Sequence, residues 1–134
     1  MFPLYYEGNM LLKKIVLRND DQFATAILKW AGEQKIDVET FDGKASLFEV
    51  VDSLVILQED HNVSREIKDL REAIERIHKP THQIDVNATM SASVASLRFW
   101  LENNNPKSVL IVGEDKMVAS HRFSEYLDKL AKVL

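Results

Sequence analysis

The chain has 134 residues, 46% hydrophobic and 28% charged, with a net charge of −4 and a pI near 5.6. That is enough for one domain with a core. The acidic balance argues against general nucleic-acid binding, which needs a basic face to displace counterions, and the absence of cysteine rules out disulfides, thiolate nucleophiles and cysteine-ligated zinc. The longest apolar runs, Leu54-Val-Ile-Leu57 and Val109-Leu-Ile-Val112, are far too short to cross a bilayer. The amino terminus lacks the basic start and apolar core of a secretory signal, so a cytoplasmic protein is expected. The sequons Asn62-Val-Ser64 and Asn87-Ala-Thr89 are then read as chance.

Residues 1–12 are apolar and aromatic (Phe2, Leu4, Tyr5, Tyr6, Leu11, Leu12). They read as an N-terminal extension, either packed on the domain or exchanged as an arm with a neighbouring subunit, and Met10 is an alternative start. Residues 13–134 read as a single domain. Lys13-Lys-Ile-Val-Leu17 is a short strand. A helix over 20–33 follows, with Asp20 or Asp21 as N-cap, Phe23, Ile27, Trp30 and Ala31 on one face, and Gly32 suited to its stop. Ile36-Asp-Val-Glu-Thr-Phe41 alternates as an edge strand does, Asp42-Gly43 is a turn, and 46–51 is a short helical turn. The run 52–58 reads as a strand buried on both faces.

Helix 64–78 shows Ile67, Leu70, Ile74 and Ile77 at helical spacing. Its opposite charges stand four apart (Arg65 with Asp69, Lys68 with Glu72, Glu72 with Arg76, Glu75 with Lys79), as on a solvated face. Lys79-Pro80 stops it. Gln83-Ile-Asp-Val86 is a fourth strand, 91–102 a helix presenting Val94, Leu97 and Leu101, Asn103-Asn-Asn-Pro106 a break, and Val109-Leu-Ile-Val112 a fifth strand. The last helix, 120–133, presents Phe123, Leu127 and Leu130. Strands alternating with helices imply right-handed crossovers. The expected fold is a three-layer α/β/α Rossmann-like domain with a mostly parallel five-stranded sheet, whose ligand edge is the carboxyl end of the strands.

That edge gathers acids. Asp20 and Asp21 follow the first strand, Glu59, Asp60 and His61 the third, and Glu114 and Asp115 the fifth. Ordinary solvated and N-capping carboxylates are one reading. The other is a ligand site at Asp20, Asp21, Glu59, Asp60, Ser64, Gly113, Glu114 and Asp115, or a divalent-metal site at Asp21, Asp60, His61 and Asp115, because crowded carboxylates repel unless a cation joins them. A response-regulator receiver fits poorly: its phosphorylated Asp would end the third strand, where Leu57 and Gln58 stand, and Lys116 lies beyond the end of the fifth. Ser64, at a helix start, reads as a cap. No Gly-x-Ser-x-Gly, P-loop or Gly-x-Gly-x-x-Gly motif is present.

Several stretches taken together resemble the molybdenum-carrier family, within the broad LOG-like (lysine-decarboxylase-like) Rossmannoid group of nucleotide-binding proteins. They are Lys14-Ile-Val, the helix containing Ala26-Ile-Leu-Lys-Trp-Ala31, Asp52-Ser-Leu-Val-Ile-Leu57, Lys79-Pro with Gln83-Ile-Asp-Val86, Ser96-Leu-Arg-Phe-Trp-Leu101 and Val109-Leu-Ile-Val-Gly113. The family's three glycine-rich loops are not retained. Leu17-Arg-Asn-Asp-Asp-Gln22, Gln58-Glu-Asp-His-Asn-Val-Ser64 and Gly113-Glu-Asp-Lys-Met-Val118 stand in their places, and of those motifs only Gly113 carries over. In the family such glycines let backbone N–H groups approach a phosphate at helix N-termini. The resemblance with acids in those positions implies a divergent member whose inherited ligand is lost or changed. Three functions follow as expectations: a non-enzymatic domain acting through a protein partner or as a homo-oligomer, a small-ligand or divalent-metal binder at the acidic rim, and an enzyme acting on a nucleotide-like phosphate. The first leads, with no nucleic-acid or membrane partner.

Overall fold

A computed structural model describes residues 11–18, 21–41, 51–60 and 63–133. Residues 1–10, Asp20, His61, the 42–43 turn and the helical turn expected from residue 46 lie outside the described residues. The strands are β1 (Lys14–Arg18), β2 (Asp37–Phe41), β3 (Ser53–Gln58), β4 (Thr81–Asp85) and β5 (Val109–Val112). The helices are α1 (Gln22–Glu33), α2 (Arg65–Arg76), α3 (Met90–Asn104) and α4 (His121–Ala131), with a 3-10 turn, Asp115–Ala119, before α4. All strand pairs are parallel, in the order β2-β1-β5-β3-β4. The expected α/β architecture is therefore present as a five-stranded, all-parallel sheet.

The layers follow from handedness. The step from β1 to β2 runs one way along the sheet and the step from β3 to β4 runs the other. Right-handed crossovers therefore put α1 and α2 on opposite faces. The step back from β4 to β5 returns α3 to the α1 side. Side-chain alternation along the strands divides the core accordingly. Ile15, Leu17, Val55, Leu57, Val109 and Ile111 join α1, α3 and α4 in one cluster. Val16, Leu54, Ile56, Leu110 and Val112 join Ile67 and Ile74 of α2 in the other. β3 and β5 are buried at every position, which is why Leu54–Leu57 and Val109–Val112 read as unbroken apolar runs.

On the three-helix face, the Trp30 indole N–H donates to the Leu127 carbonyl at 3.1 Å, tying α1 to α4. Tyr126 is fully buried, burial pushes its phenol well above the ordinary range, and its hydroxyl donates to the Ser93 carbonyl at 3.4 Å. Leu12 is buried in this core and Leu11 packs against it, so the last residues of the expected extension belong to the packing.

Helix ends differ from expectation in one respect. Gly32 lies inside α1 with open space around it. The chain turns out of α1 at Lys35 (φ 60°), out of α2 at His78 (φ 63°) and out of α3 at Asn105 (φ 43°). These are the left-handed positions where helices commonly stop. On α2, Arg65 and Asp69 stand 3.8 Å apart, as expected, and Arg71 with Glu75 at 3.9 Å adds a pair not foreseen. No helix among the described residues is long and apolar enough to cross a membrane.

Candidate functional site at the carboxyl edge of the sheet

Open α/β sheets bind ligands where successive connections leave in opposite directions, and the strand order puts that place beside β1 and β5. Two features of the chain meet there: the N-terminus of α1, and the segment from Gly113 to the 3-10 turn after β5. A helix N-terminus presents unpaired N–H groups that suit an anion. In this protein its own carboxylates take them. Asp21, the N-cap, accepts from the Ala24 N–H at 2.6 Å. Asp115, from the turn after β5, accepts from the Phe23 N–H at 3.0 Å. Consecutive amides of the first turn thus bind acids from two different loops. The two negative charges also suit the positive end of the helix dipole.

Gly113 is buried, but it does not open a cradle. The Phe23 ring fills the space over it. A Cβ at Gly113 would lie 2.4 Å from Phe23 Cε1 and 2.7 Å from Cζ. The ring is anchored in turn by Phe123, with centroids 5.5 Å apart. The close backbone approach that a glycine permits is used here by an aromatic side chain of the chain itself.

Arg18, at the end of β1, adds a cation to this side of the rim. Its Nη1 donates to Glu66 Oε1 at 2.6 Å, and its Nη2 stands 3.7 Å from Asp21 Oδ2. It therefore joins the first turns of α1 and α2. At α2, Ser64 acts as the N-cap, accepting from the Ile67 N–H at 3.2 Å.

The other acids form a separate group between β3 and β4. Asp60 has a φ of 53°. It makes the left-handed turn that a glycine would otherwise make, a conformation in which Asp is several-fold enriched among non-glycine residues. Its N–H donates to Asp85 Oδ1 at 3.1 Å, and its Oδ1 accepts from Asn87 Nδ2 at 3.0 Å. The same Asp85 oxygen accepts from the Asn87 N–H at 2.9 Å. Arg122 of α4 secures the loop after β4, donating to the Val86 carbonyl at 3.1 Å and the Ala88 carbonyl at 2.7 Å. Glu59 and Glu114 are half-buried.

Asp21 and Asp115 are thus brought together, whereas Asp60 is engaged elsewhere. Among the described residues, no group of three or more His, Asp or Glu side chains is placed to hold a metal ion. Three organising residues were not singled out from sequence. In the sequence Asp85 reads only as part of a strand, Arg18 only as part of the loop after the first strand, and Phe23 as core. The signal available for Asp85 was a carboxylate inside an apolar strand, Gln83-Ile-Asp-Val86; it is 9% exposed. Such a group persists only when hydrogen-bonded.

No family model matches the sequence. No curated protein matches it either. Among solved structures, the crystal structure of the "Putative molybdenum carrier protein" from Syntrophus aciditrophicus SB resembles this chain with a TM-score of 0.65. The two chains share a fold. The match covers 90% of this chain and 95% of that one, at 12% identity. The Rossmann-like α/β expectation agrees with the fold of that structure.

Proposed function

We propose that this is a non-enzymatic domain on a degenerate nucleotide-binding-type scaffold, acting through contact with protein partners. One observation carries the reading. The position where the fold would hold an anion is filled from within, by Asp115 on the Phe23 N–H and by the Phe23 ring over Gly113. A phosphate there would have to displace a carboxylate and then sit beside Asp21 and Asp115, against their charge. The N–H groups that would stabilise transferred charge are already bonded to acids.

An enzyme acting on a nucleotide-like phosphate needs donors free to meet its substrate, and the α1 terminus offers Phe23 and Ala24 N–H groups already paired. A metal site at the rim draws no support from the described carboxylates: Asp21 and Asp115 accept from amides of α1, and Asp60 is bonded to Asp85 and Asn87 instead.

Thermal unfolding with a panel of nucleoside mono-, di- and triphosphates, each with and without Mg²⁺, tests the reading. A ligand present at 100 times its Kd stabilises by about 2.7 kcal/mol, a shift easily seen. Unchanged melting across the panel, with no phosphate release, is expected. A reproducible rise, or turnover, would overturn it.

A further inference from the structure

We infer that the groove between α3 and α4 docks an acidic segment of a partner protein. The inference rests on the protein-contact reading above and names the chemistry of the contact. The groove has a volume of about 330 Å³. Val94 and Ala95 of α3 and Val133 after α4 line it with apolar surface, and Arg98, Lys129 and Lys132 bring cations to the same opening. No carboxylate lines it. Arg98 reaches Glu102 only at 3.9 Å, with both side chains about half exposed, a pair worth little in solvent. Among the described residues Lys129 and Lys132 take part in no ion pair.

Cations at the end of α4 complement its dipole, which accounts for Lys129 and Lys132. It does not account for Arg98, which lies in the middle of α3. The three converge from two elements in a chain whose net charge is −4. An apolar floor flanked by one sign of charge selects its occupant by complementarity: carboxylates for the cations, and a short apolar side chain for the floor. A nucleic acid would meet the repulsion of the rest of the chain.

The test uses the full chain and two fluorescein-labelled peptides. One alternates Glu and Asp with Leu; in the other, Gln and Asn replace the acids. Anisotropy is expected to show saturable binding of the acidic peptide, weakened about tenfold or more by the amide exchange, by Lys129→Glu with Lys132→Glu, and by salt at several times the physiological level. Lys129→Ala with Lys132→Ala, milder and equally exposed, should weaken it in the same direction. Amide shifts in a ¹⁵N spectrum should fall on the α3 and α4 residues lining the groove. Equal binding of the two peptides, no binding of either, or shifts confined elsewhere would overturn the proposal. So would a dimer in sedimentation that the charge reversals dissociate, which would make a second copy the occupant, or peptide binding seen only after deletion of residues 1–10, which would make the chain's own start the occupant. Nucleotide turnover would defeat the protein-contact reading and leave these peptide results to be judged separately.

Discussion

Replacing Gly113 by Ala tests the packing that closes the site. No left-handed backbone is needed at Gly113, so the cost is steric alone. The new methyl would meet three carbons of the Phe23 ring at 2.4, 2.7 and 2.8 Å, roughly 1 Å inside ordinary contact. The ring cannot swing away freely. Phe23 is 1% exposed, its ring lies against Phe123, and its backbone N–H is held by Asp115. Overpacking of this kind costs about 1–3 kcal/mol. For a domain of this size each kcal/mol lowers the Tm by about 4 °C, so a fall of about 4–12 °C is expected. Urea unfolding followed by Trp fluorescence gives the free energy directly, and the same substitution in a Phe23→Leu background completes a double-mutant cycle. Leu lacks the outer ring carbons, so the Ala methyl should cost at least about 0.5 kcal/mol less there. A Gly113→Ala protein as stable as the parent, or an equal cost in both backgrounds, would refute the claim that Phe23 occupies the space above Gly113.

Ser64→Ala removes the hydroxyl that accepts from the Ile67 N–H and should cost about 1 kcal/mol in urea unfolding; an unchanged midpoint would show that the cap contributes nothing. Asp115→Ala should cost a similar amount, about 1 kcal/mol, and speed exchange of the Phe23 amide, while Asp115→Asn, which keeps an acceptor oxygen, should fall between the unmodified protein and Asp115→Ala. His82 stacks on Trp100, with centroids 5.6 Å apart, its Nε2 is 2.9 Å from Ser96 Oγ, and burial holds its pKa below the ordinary 6.5. The unfolded chain therefore takes up the proton first, so the stabilising contribution is present above pH 6.5 and is lost as pH falls through the folded value. His82→Gln should flatten the stability profile below pH 6.5; an unaltered acid slope would contradict this.

Much of the fold was legible because burial leaves a direct mark on residue type. Leu54-Val-Ile-Leu57 and Val109-Leu-Ile-Val112 are central strands covered on both faces, and nothing polar interrupts them. β2 alternates because it lies at the edge of the sheet. Asp21 and Ser64 announced the starts of α1 and α2, since a cap is a local interaction. The 3-10 turn Asp115–Ala119 was missed: five residues with no periodicity leave no pattern to read. The site was harder for a further reason. Sequence placed the acids along one rim but could not pair them. Phe23 and Asp115 are 92 positions apart and meet only because β5 lies beside β1. Likewise Asp60 finds Asp85 only because β4 flanks β3. Strand order decides both meetings, and no local pattern encodes it.

Asp115 and Phe23 of the chain itself fill the space at the α1 N-terminus where an anion would otherwise sit. Titration of the ¹⁵N-labelled protein with inorganic phosphate and then ATP, watching the Phe23 and Ala24 amides, tests it most directly. These two signals should stay fixed up to millimolar ligand and keep their slow exchange, because each N–H already donates to a carboxylate. Saturable movement of either signal in the unmodified protein would show that these amides remain open to an anion and make the carboxyl edge a phosphate site.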